Sequence, residues 1–266
     1  TNAAQAQAAE AALQAAQYQV GEVATKRVQR RPVAPFTTST LQQEAARKLR
    51  LGAKVTMRRA QMLYEGVDLG GERIGLITYM RTDAVSLSNE AINLTRDAIG
   101  QLYGQRYLPE KPILYANKSK NAQEAHEAIR PTDPRRTPEN LRGKIDAELW
   151  DLYNLIWQRT MACQMANAQL DQTSVDINST NQQHRFRATG SVVVFDGFMR
   201  AYQEGKDGDD DEQDRLLPPV KTGEAATAEA ITPTQHFTEP PPRYSEATLV
   251  KALEENGIGR PSTYAS

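Results

Sequence analysis

The chain has 266 residues, of which 39% are hydrophobic and 24% are charged, and its formal net charge is -1. This length allows one large domain or two smaller ones, with a buried core and no need for disulfides. The single cysteine, Cys163, excludes an intrachain disulfide and the thiol spacings of zinc fingers. No apolar run reaches membrane-spanning length, and residues 1–16 lack the basic start and apolar block of a signal peptide. These absences predict a cytoplasmic protein with no membrane partner.

Hydrophobic periodicity and capping residues predict a helical middle between strand-rich pieces. Residues 3–16 favour a helix by composition, and the alternation over 18–28 favours a strand. The hydroxyl residues 37–40, with a glutamine three residues on, predict a capping box before a helix of about ten residues. The longest predicted helix, 146–165, places Cys163 on its buried face. Other helices are predicted at 56–65, 88–104, 121–130, from 137 onward and at 245–257, and strands at 74–80, 170–177, 184–188, 192–195 and 225–231.

Positive charge is concentrated in this helical middle. Residues 38–165 contain 19 Lys and Arg against 15 Asp and Glu. Much of the compensating negative charge lies in an acidic run at 207–214, which is typical of a solvated loop. A modest basic excess is compatible with phosphate binding but does not establish it.

A tyrosine and an arginine stand two residues apart in the predicted strand 74–80 and just after it. On a strand, the period of two puts Tyr79 and Arg81 on the same face. A phenol has a pKa of about 10 and is a poor nucleophile, so a neighbouring cation favours its attack on a phosphate. Taken alone, the pair is more often a half-buried aromatic beside a surface charge.

The segment Gln123–Pro131 places His126, Ile129 and Arg130 within one predicted helical turn. His126 and Arg130 are therefore candidate ligands for an anion. The segment lacks the second histidine of a zinc-protease helix, so no metal site is predicted here. A lone histidine is more often a surface or packing residue, and that interpretation stays open.

A third candidate site lies at Glu255–Tyr264, where a helix ends in glycines and a new helix is predicted to start at Pro261. The Arg260 guanidinium and the Ser262 and Thr263 hydroxyls would converge on one anion at that helix start. The alternative is an ordinary helix-turn-helix corner. The chain contains no phosphate-binding P-loop, which argues against nucleotide hydrolysis.

In this order and spacing, the motifs resemble the bacterial DNA topoisomerase I branch of the type IA topoisomerase family. The motifs that carry the resemblance are Pro35–Gln43, Tyr79–Asp83, Gln123–Pro131, Arg243–Ala247 and Gly257–Ser266. The resemblance implies an α+β fold in which a helical tyrosine-bearing domain is inserted into an antiparallel β-rich arch. Its domains would be 1–37 with 166–236 (arch), 38–165 (helical) and 237–266 (the beginning of a further helical, DNA-binding domain).

The resemblance also implies a chemistry. Tyr79 would attack a backbone phosphate of single-stranded DNA to form a 5′-phosphotyrosine, and reversal would rejoin the strand without ATP and relax negatively supercoiled DNA. Arg81 and Arg260 would act in catalysis on the phosphate, while His126, Arg130, Ser262 and Thr263 would support DNA binding. Ala84 stands where the family often has serine, which puts one phosphate contact in doubt.

Parts of the family's machinery are expected outside this chain. The family has a magnesium-binding acidic domain before this region and DNA-binding modules after it. We therefore expect Mg²⁺ ligands elsewhere in the parent protein, none in this chain, and an isolated fragment that neither cleaves nor relaxes DNA. Two alternatives remain for the fragment itself: a non-catalytic single-stranded DNA-binding module, or a structural arch.

Overall fold

The computed structural model describes residues 2–116, 126–205 and 217–265. Within these ranges the chain packs as two compact units. The strand unit comprises residues 2–29, 169–195 and 217–242, and the tyrosine unit comprises residues 30–116, 126–168, 196–205 and 243–265. The acidic run at 207–214 lies outside the described residues.

The strand unit is a four-stranded sheet with the order β5-β4-β1-β6. Its strands are β1 (Tyr18–Arg30), β4 (Ala168–Ser179), β5 (Arg185–Phe195) and β6 (Ala225–Ala226). Strands β4 and β5 are antiparallel, with Val175 opposite Ala188. The two predicted strands 184–188 and 192–195 are one continuous strand, whereas the predicted strand 225–231 shortens to two residues. Helix α1 (Ala3–Gln14) precedes β1 and buries none of its residues.

The tyrosine unit is mainly helical. Its helices are α2 (Thr38–Leu49), α3 (Ala53–Glu65), α4 (Asn89–Leu102), α5 (Pro138–Leu141), α6 (Ala147–Cys163) and α7 (Glu246–Glu255), with short 3-10 turns at Gln105–Tyr107 and Gly197–Arg200. A small hairpin, β2 (Val67–Asp68) with β3 (Arg73–Ile74), follows α3. Together with the antiparallel sheet, these helices confirm the predicted α+β class.

Helix α6 is the centre of this unit because its apolar positions recur at helical spacing and face several neighbours. Leu152, Tyr153 and Ile156 are fully buried, and α6 packs against α2, α3, α4 and α5. Cys163 is buried at its end, as predicted, and burial raises the pKa of its thiol to about 12.

The units differ from the predicted domains at their boundaries. Residues 30–37 and 196–205 pack with the helices rather than with the sheet. Residues 243–265, which the sequence assigns to the start of a further domain, also pack there because α7 lies against α2.

Three local predictions are wrong. The segment 75–80 is not part of a sheet, since only Ile77 makes a bridge, to Pro131. Residues 126–130 of the predicted helix 121–130 are not helical: Ile129 bridges Phe36, and residues 121–125 lie outside the described residues. No helix starts at Pro261, because residues 261–265 form a hydrogen-bonded turn. In the first two cases a tertiary contact replaces the regular structure that the local pattern favoured, whereas the turn at 261–265 is closed by local bonds from the Thr263 and Tyr264 amides to the Arg260 carbonyl.

Candidate active site

Exposed and buried side chains alternate along the segment 79–84. Tyr79 is 38% exposed, whereas Met80, Thr82 and Ala84 are at most 3% exposed. The predicted period of two is therefore confirmed, and Tyr79 and Arg81 are both exposed. Ala84 faces the core, so the serine that often stands there in the family would not reach a phosphate beside Tyr79.

The N-terminus of α2 fixes one side of this segment. The Thr38 hydroxyl donates to the Met80 carbonyl at 2.7 Å and accepts from the Thr82 amide at 2.9 Å. The Thr38 amide donates to the Thr82 carbonyl at 2.9 Å. The capping box of α2 is formed by Thr37 and Thr40 rather than by a glutamine, which leaves Thr38 available for these bonds.

The segment 128–131 holds the other side. The Thr78 amide donates to the Arg130 carbonyl at 2.9 Å, and the Thr78 hydroxyl donates to the Ala128 carbonyl at 2.7 Å. The Ile129 amide in turn donates to the Phe36 carbonyl at 2.8 Å. Tyr79 is thus carried by a backbone segment that is hydrogen-bonded on both sides within a buried layer.

Two rings pack against the Tyr79 ring. Tyr64 of α3 meets the Tyr79 ring edge-on, with centroids 5.4 Å apart and an interplanar angle of 67°. The His126 imidazole also contacts the Tyr79 ring, with centroids 5.9 Å apart and an interplanar angle of 34°. Edge contacts of this kind hold a ring in place while leaving the polar tip of a tyrosine accessible.

These groups line one cleft of about 950 Å³. Its lining residues are Tyr64, Tyr79, Arg81, Asp83, His126, Arg260, Pro261 and Ser262. The described residues provide no hydrogen-bond or ion-pair partner for the side chains of Arg81 and Arg260. Two guanidinium groups in one cleft with a single carboxylate, Asp83, give it the character of an anion site.

The structure brings five of the seven candidate residues together: Tyr79, Arg81, His126, Arg260 and Ser262. Thr263 is adjacent, but its hydroxyl accepts from the Arg260 amide at 2.9 Å and so stabilises the turn. Arg130 lies outside the cleft, where its guanidinium donates to Glu127 at 2.5 Å and to the Pro131 carbonyl at 3.0 Å.

Two cleft residues were missed from the sequence. Asp83 shares the exposed side with Tyr79 and Arg81, so the same alternation could have identified it. Tyr64 comes from α3, fifteen positions away, and no local pattern connects it with Tyr79. Its signal is weak, because an exposed tyrosine near a helix end is common.

Helix α7 delivers Arg260 and Ser262 to the cleft, and two glutamates attach it. The Ala53 amide at the start of α3 donates to the Glu246 carboxylate at 2.6 Å, and the Ser39 hydroxyl donates to the Glu254 carboxylate at 2.6 Å. Gly52, the N-cap of α3, has no side chain for this task. A carboxylate from another helix therefore satisfies an otherwise unbonded helix N-terminus.

The described residues contain no group of three His, Cys, Asp or Glu side chains that could hold a metal ion. Among them there is also no helix long and apolar enough to cross a membrane.

Comparison with known proteins identifies the family. A family model described as DNA topoisomerase matches residues 1–266. This chain belongs to the bacterial type I DNA topoisomerase family. Relatives in that family include the DNA topoisomerase 1 of Rickettsia typhi, 55% identical over 94% of this chain, and that of Xylella fastidiosa, 56% identical over 93%. The chain spans about a third of these relatives, 32% and 31% of their lengths.

A solved topoisomerase has the same fold. The full-length topoisomerase I from Thermotoga maritima superposes with a TM-score of 0.80 and 33% identity, covering 100% of this chain and 41% of its own. The fold of this topoisomerase chain is thus that of a bacterial topoisomerase I segment.

Proposed function

We propose that this chain is the central part of a type IA topoisomerase, which cuts and rejoins one DNA strand through Tyr79. The observation that carries the proposal is the half-exposed Tyr79 in a cleft with Arg81 and Arg260. A scissile phosphate needs both an accessible nucleophile and cations for its developing charge, and this cleft offers both.

The proposed reaction is a transesterification. The Tyr79 hydroxyl oxygen attacks a backbone phosphorus of single-stranded DNA, and the bond from that phosphorus to the 3′ oxygen breaks. The phenol loses its proton and the departing 3′ oxygen gains one, which leaves a 5′-phosphotyrosine and a free 3′-hydroxyl. Attack by that hydroxyl reverses the step. One phosphodiester replaces another, so the exchange needs no ATP.

Each cleft residue has a role in this proposal. Arg81 and Arg260 would neutralise the non-bridging phosphate oxygens as charge builds up in the transition state. His126, in ring contact with Tyr79, would hold the phenol and bind the strand. Ser262 would donate a hydrogen bond to phosphate, and Thr263 would act indirectly by stabilising the turn that carries Arg260.

We propose that the remaining machinery belongs to other parts of the parent protein. The described residues offer no metal site, so no step is assigned here to the magnesium ion that the family resemblance implies. An acidic domain before this region would bind Mg²⁺, and modules after it would add DNA affinity. The whole enzyme would relax negatively supercoiled DNA in the bacterial cytoplasm, and the chain alone would neither cleave nor relax DNA.

The direct test uses the full-length parent protein with a single-stranded oligonucleotide labelled at either its 5′ or its 3′ end. After denaturation, the 3′-labelled fragment should remain on the protein, and Tyr79→Phe should abolish this adduct. Retention of the 5′-labelled fragment, or an adduct that survives Tyr79→Phe, would contradict the proposed nucleophile. Tyr64→Phe is the matched control, because it removes a neighbouring phenol from the same cleft.

A second candidate function is a non-catalytic single-stranded DNA-binding module. The two guanidinium groups without carboxylate partners favour it, because they suit phosphate binding whether or not cleavage follows. The adduct assay with the full-length protein separates the two functions, because a non-catalytic binding module forms no adduct on Tyr79. Relaxation of DNA by the isolated chain would contradict the proposal that cleavage needs other domains of the parent protein. DNA binding by the isolated chain without cleavage agrees with that proposal.

A further inference from the structure

A second cleft opens beside the first, along α3. Its volume is about 610 Å³, and Tyr79, Arg81 and Ser262 line both clefts. On the far side it is lined by Lys54, Arg58 and other residues of one α3 face. The tyrosine therefore does not lie at the end of a pocket. It lies at a junction from which an occupant of the first cleft can continue along α3.

The α3 face carries two cations that nothing in the fold uses. Lys54 and Arg58 are both exposed, and the described residues supply neither with a hydrogen-bond or ion-pair partner. Their neighbour Arg59 differs: its side chain is 13% exposed and its guanidinium lies 2.6 Å from the Glu148 carboxylate. Of these two consecutive arginines, Arg59 therefore forms a structural ion pair and Arg58 lines the open cleft.

The positions of these cations suit a chain of phosphates. Residues at i and i+4 lie on one helix face and are about 6 Å apart along the helix axis. The only carboxylate in the lining of this cleft is Glu65, one helical turn past Gln61, whose amide donates to it at 2.6 Å. Together with Arg81, the lining has three cations and one anion, which favours an extended polyanion over a neutral or cationic ligand.

We propose that Lys54 and Arg58 form a phosphate track, which binds the DNA strand on one side of the scissile phosphate that Arg81 and Arg260 contact. This inference rests on the proposed function, since it takes the occupant of the first cleft to be single-stranded DNA. The track adds phosphate contacts beyond the reacting phosphate. After cleavage, Lys54 and Arg58 would bind the DNA strand close to Tyr79.

Salt-dependent binding tests the track in the chain as given. The binding constant for a fluorescein-labelled single-stranded oligonucleotide is measured over a range of salt for the unaltered chain and for Lys54→Ala/Arg58→Ala. Each lost phosphate contact on a single strand lowers the log–log salt slope by about 0.7, so the double variant should lose about 1.4. Lys26→Ala/Lys111→Ala is the control, because it removes two exposed lysines that line neither cleft.

Neutral phosphate analogues locate the contacts. A methylphosphonate is placed at one phosphate after another, and the unaltered chain should lose affinity at positions that the double variant tolerates. The inference is overturned if the double variant matches the control in slope and methylphosphonate pattern, or if the unaltered chain does not bind the oligonucleotide. Circular dichroism and melting curves should be unchanged, since both side chains are exposed.

The inference and the proposed function fail separately. If full-length protein forms the Tyr79 adduct with equal efficiency with and without the two cations, the track is wrong and the nucleophile stands. The opposite result is that no adduct forms on Tyr79, while the double variant still shows a smaller salt dependence of oligonucleotide binding than the unaltered chain. The proposed cleavage chemistry is then wrong, and the track remains a DNA-binding surface.

Discussion

Two segments meet at the candidate active site, and they are held in different ways. The segment 78–84 is buried on alternate residues and bonded along its backbone from both sides. The segment 256–265 is largely exposed, and its position depends on how α7 is attached through Glu246 and Glu254. The nucleophile is therefore held by backbone bonds on both sides, whereas its cationic partner Arg260 lies in an exposed turn after α7, a helix that packs against α2 and is bonded through the two glutamates.

The largest expected effect is a loss of DNA-cleavage rate when a cation is removed from the fixed segment. In the full-length protein, Arg81→Ala is expected to lower the rate of adduct formation roughly 10²–10³-fold, because transition-state charge loses its partner in the cleft. Arg81→Lys should recover part of the rate. Arg73→Ala is the control, since that side chain donates only to the Glu65 carbonyl and lies outside both clefts. An unchanged rate for Arg81→Ala would remove that residue from the proposed mechanism.

The fixed segment should be loosened most by Thr38→Val. This change keeps the side-chain shape but deletes the hydroxyl bonded to Met80 and Thr82, leaving buried backbone groups unsatisfied. The expected cost is about 1–3 kcal/mol in unfolding free energy, measured by urea denaturation. Thr56→Val is the matched control, because its buried hydroxyl has no partner among the described residues other than the Gly52 carbonyl at the N-cap of α3. Equal losses of adduct formation in both variants would indicate general destabilisation rather than a specific role for Thr38.

The adjustable segment should respond to Glu246→Ala. The start of α3 then loses its carboxylate acceptor, and we expect about 1 kcal/mol of destabilisation, as for loss of a helix cap. Amide exchange in residues 256–265 should accelerate, while exchange in 78–84 stays slow. Glu255→Ala is the control, because that side chain is exposed and pairs only with Lys251. Equal acceleration in both segments would show that they are not independently held.

The smallest expected effect is on the pH dependence of the unfolding free energy, through Glu127 beside the segment 128–131 that holds the fixed segment. Burial alone would raise the pKa of Glu127, but the Arg130 hydrogen bond and charge, together with hydrogen bonds to Ser88, outweigh it and leave the pKa below its ordinary 4.5. A depressed carboxylate pKa stabilises the fold above the unfolded value, and that stability is lost as the pH falls through the folded value. Glu127→Gln should therefore lower stability at pH 7, by under about 1 kcal/mol. The difference from the unaltered chain should vanish in acid, and a constant difference would contradict the ion-pair explanation.

The part of the site that lies close in sequence was predictable, and the part that depends on distant contacts was not. Alternation placed Tyr79 and Arg81 together even though the expected strand does not form, because burial of Met80 and Thr82 imposes the same period without a sheet partner. Motif resemblance brought in His126 and Arg260. DNA binding by Arg130 stays a prediction, and its guanidinium pairs with the Glu127 carboxylate three residues before it.

Element boundaries failed where a residue's partner is remote. Residues 126–130 look helical in isolation, but their backbone bonds to Phe36 and to the 78–84 segment. The start of α3 was predicted at residue 56, but the helix begins at Ala53, where Gly52 offers no side-chain cap and the Glu246 carboxylate accepts from the Ala53 amide. Capping rules use neighbouring residues, so a cap delivered from nearly two hundred positions away leaves no local signal.

That remote cap also constrains how the sequence can change. A Cβ at Gly52 would lie 3.0 Å from one Glu246 carboxylate oxygen and 3.1 Å from the other, so even alanine would crowd the contact. A serine or aspartate there could cap α3 by itself and would displace the glutamate. Positions 52 and 246 should therefore vary together among relatives: where residue 52 supplies its own oxygen, the acid at 246 is released from selection.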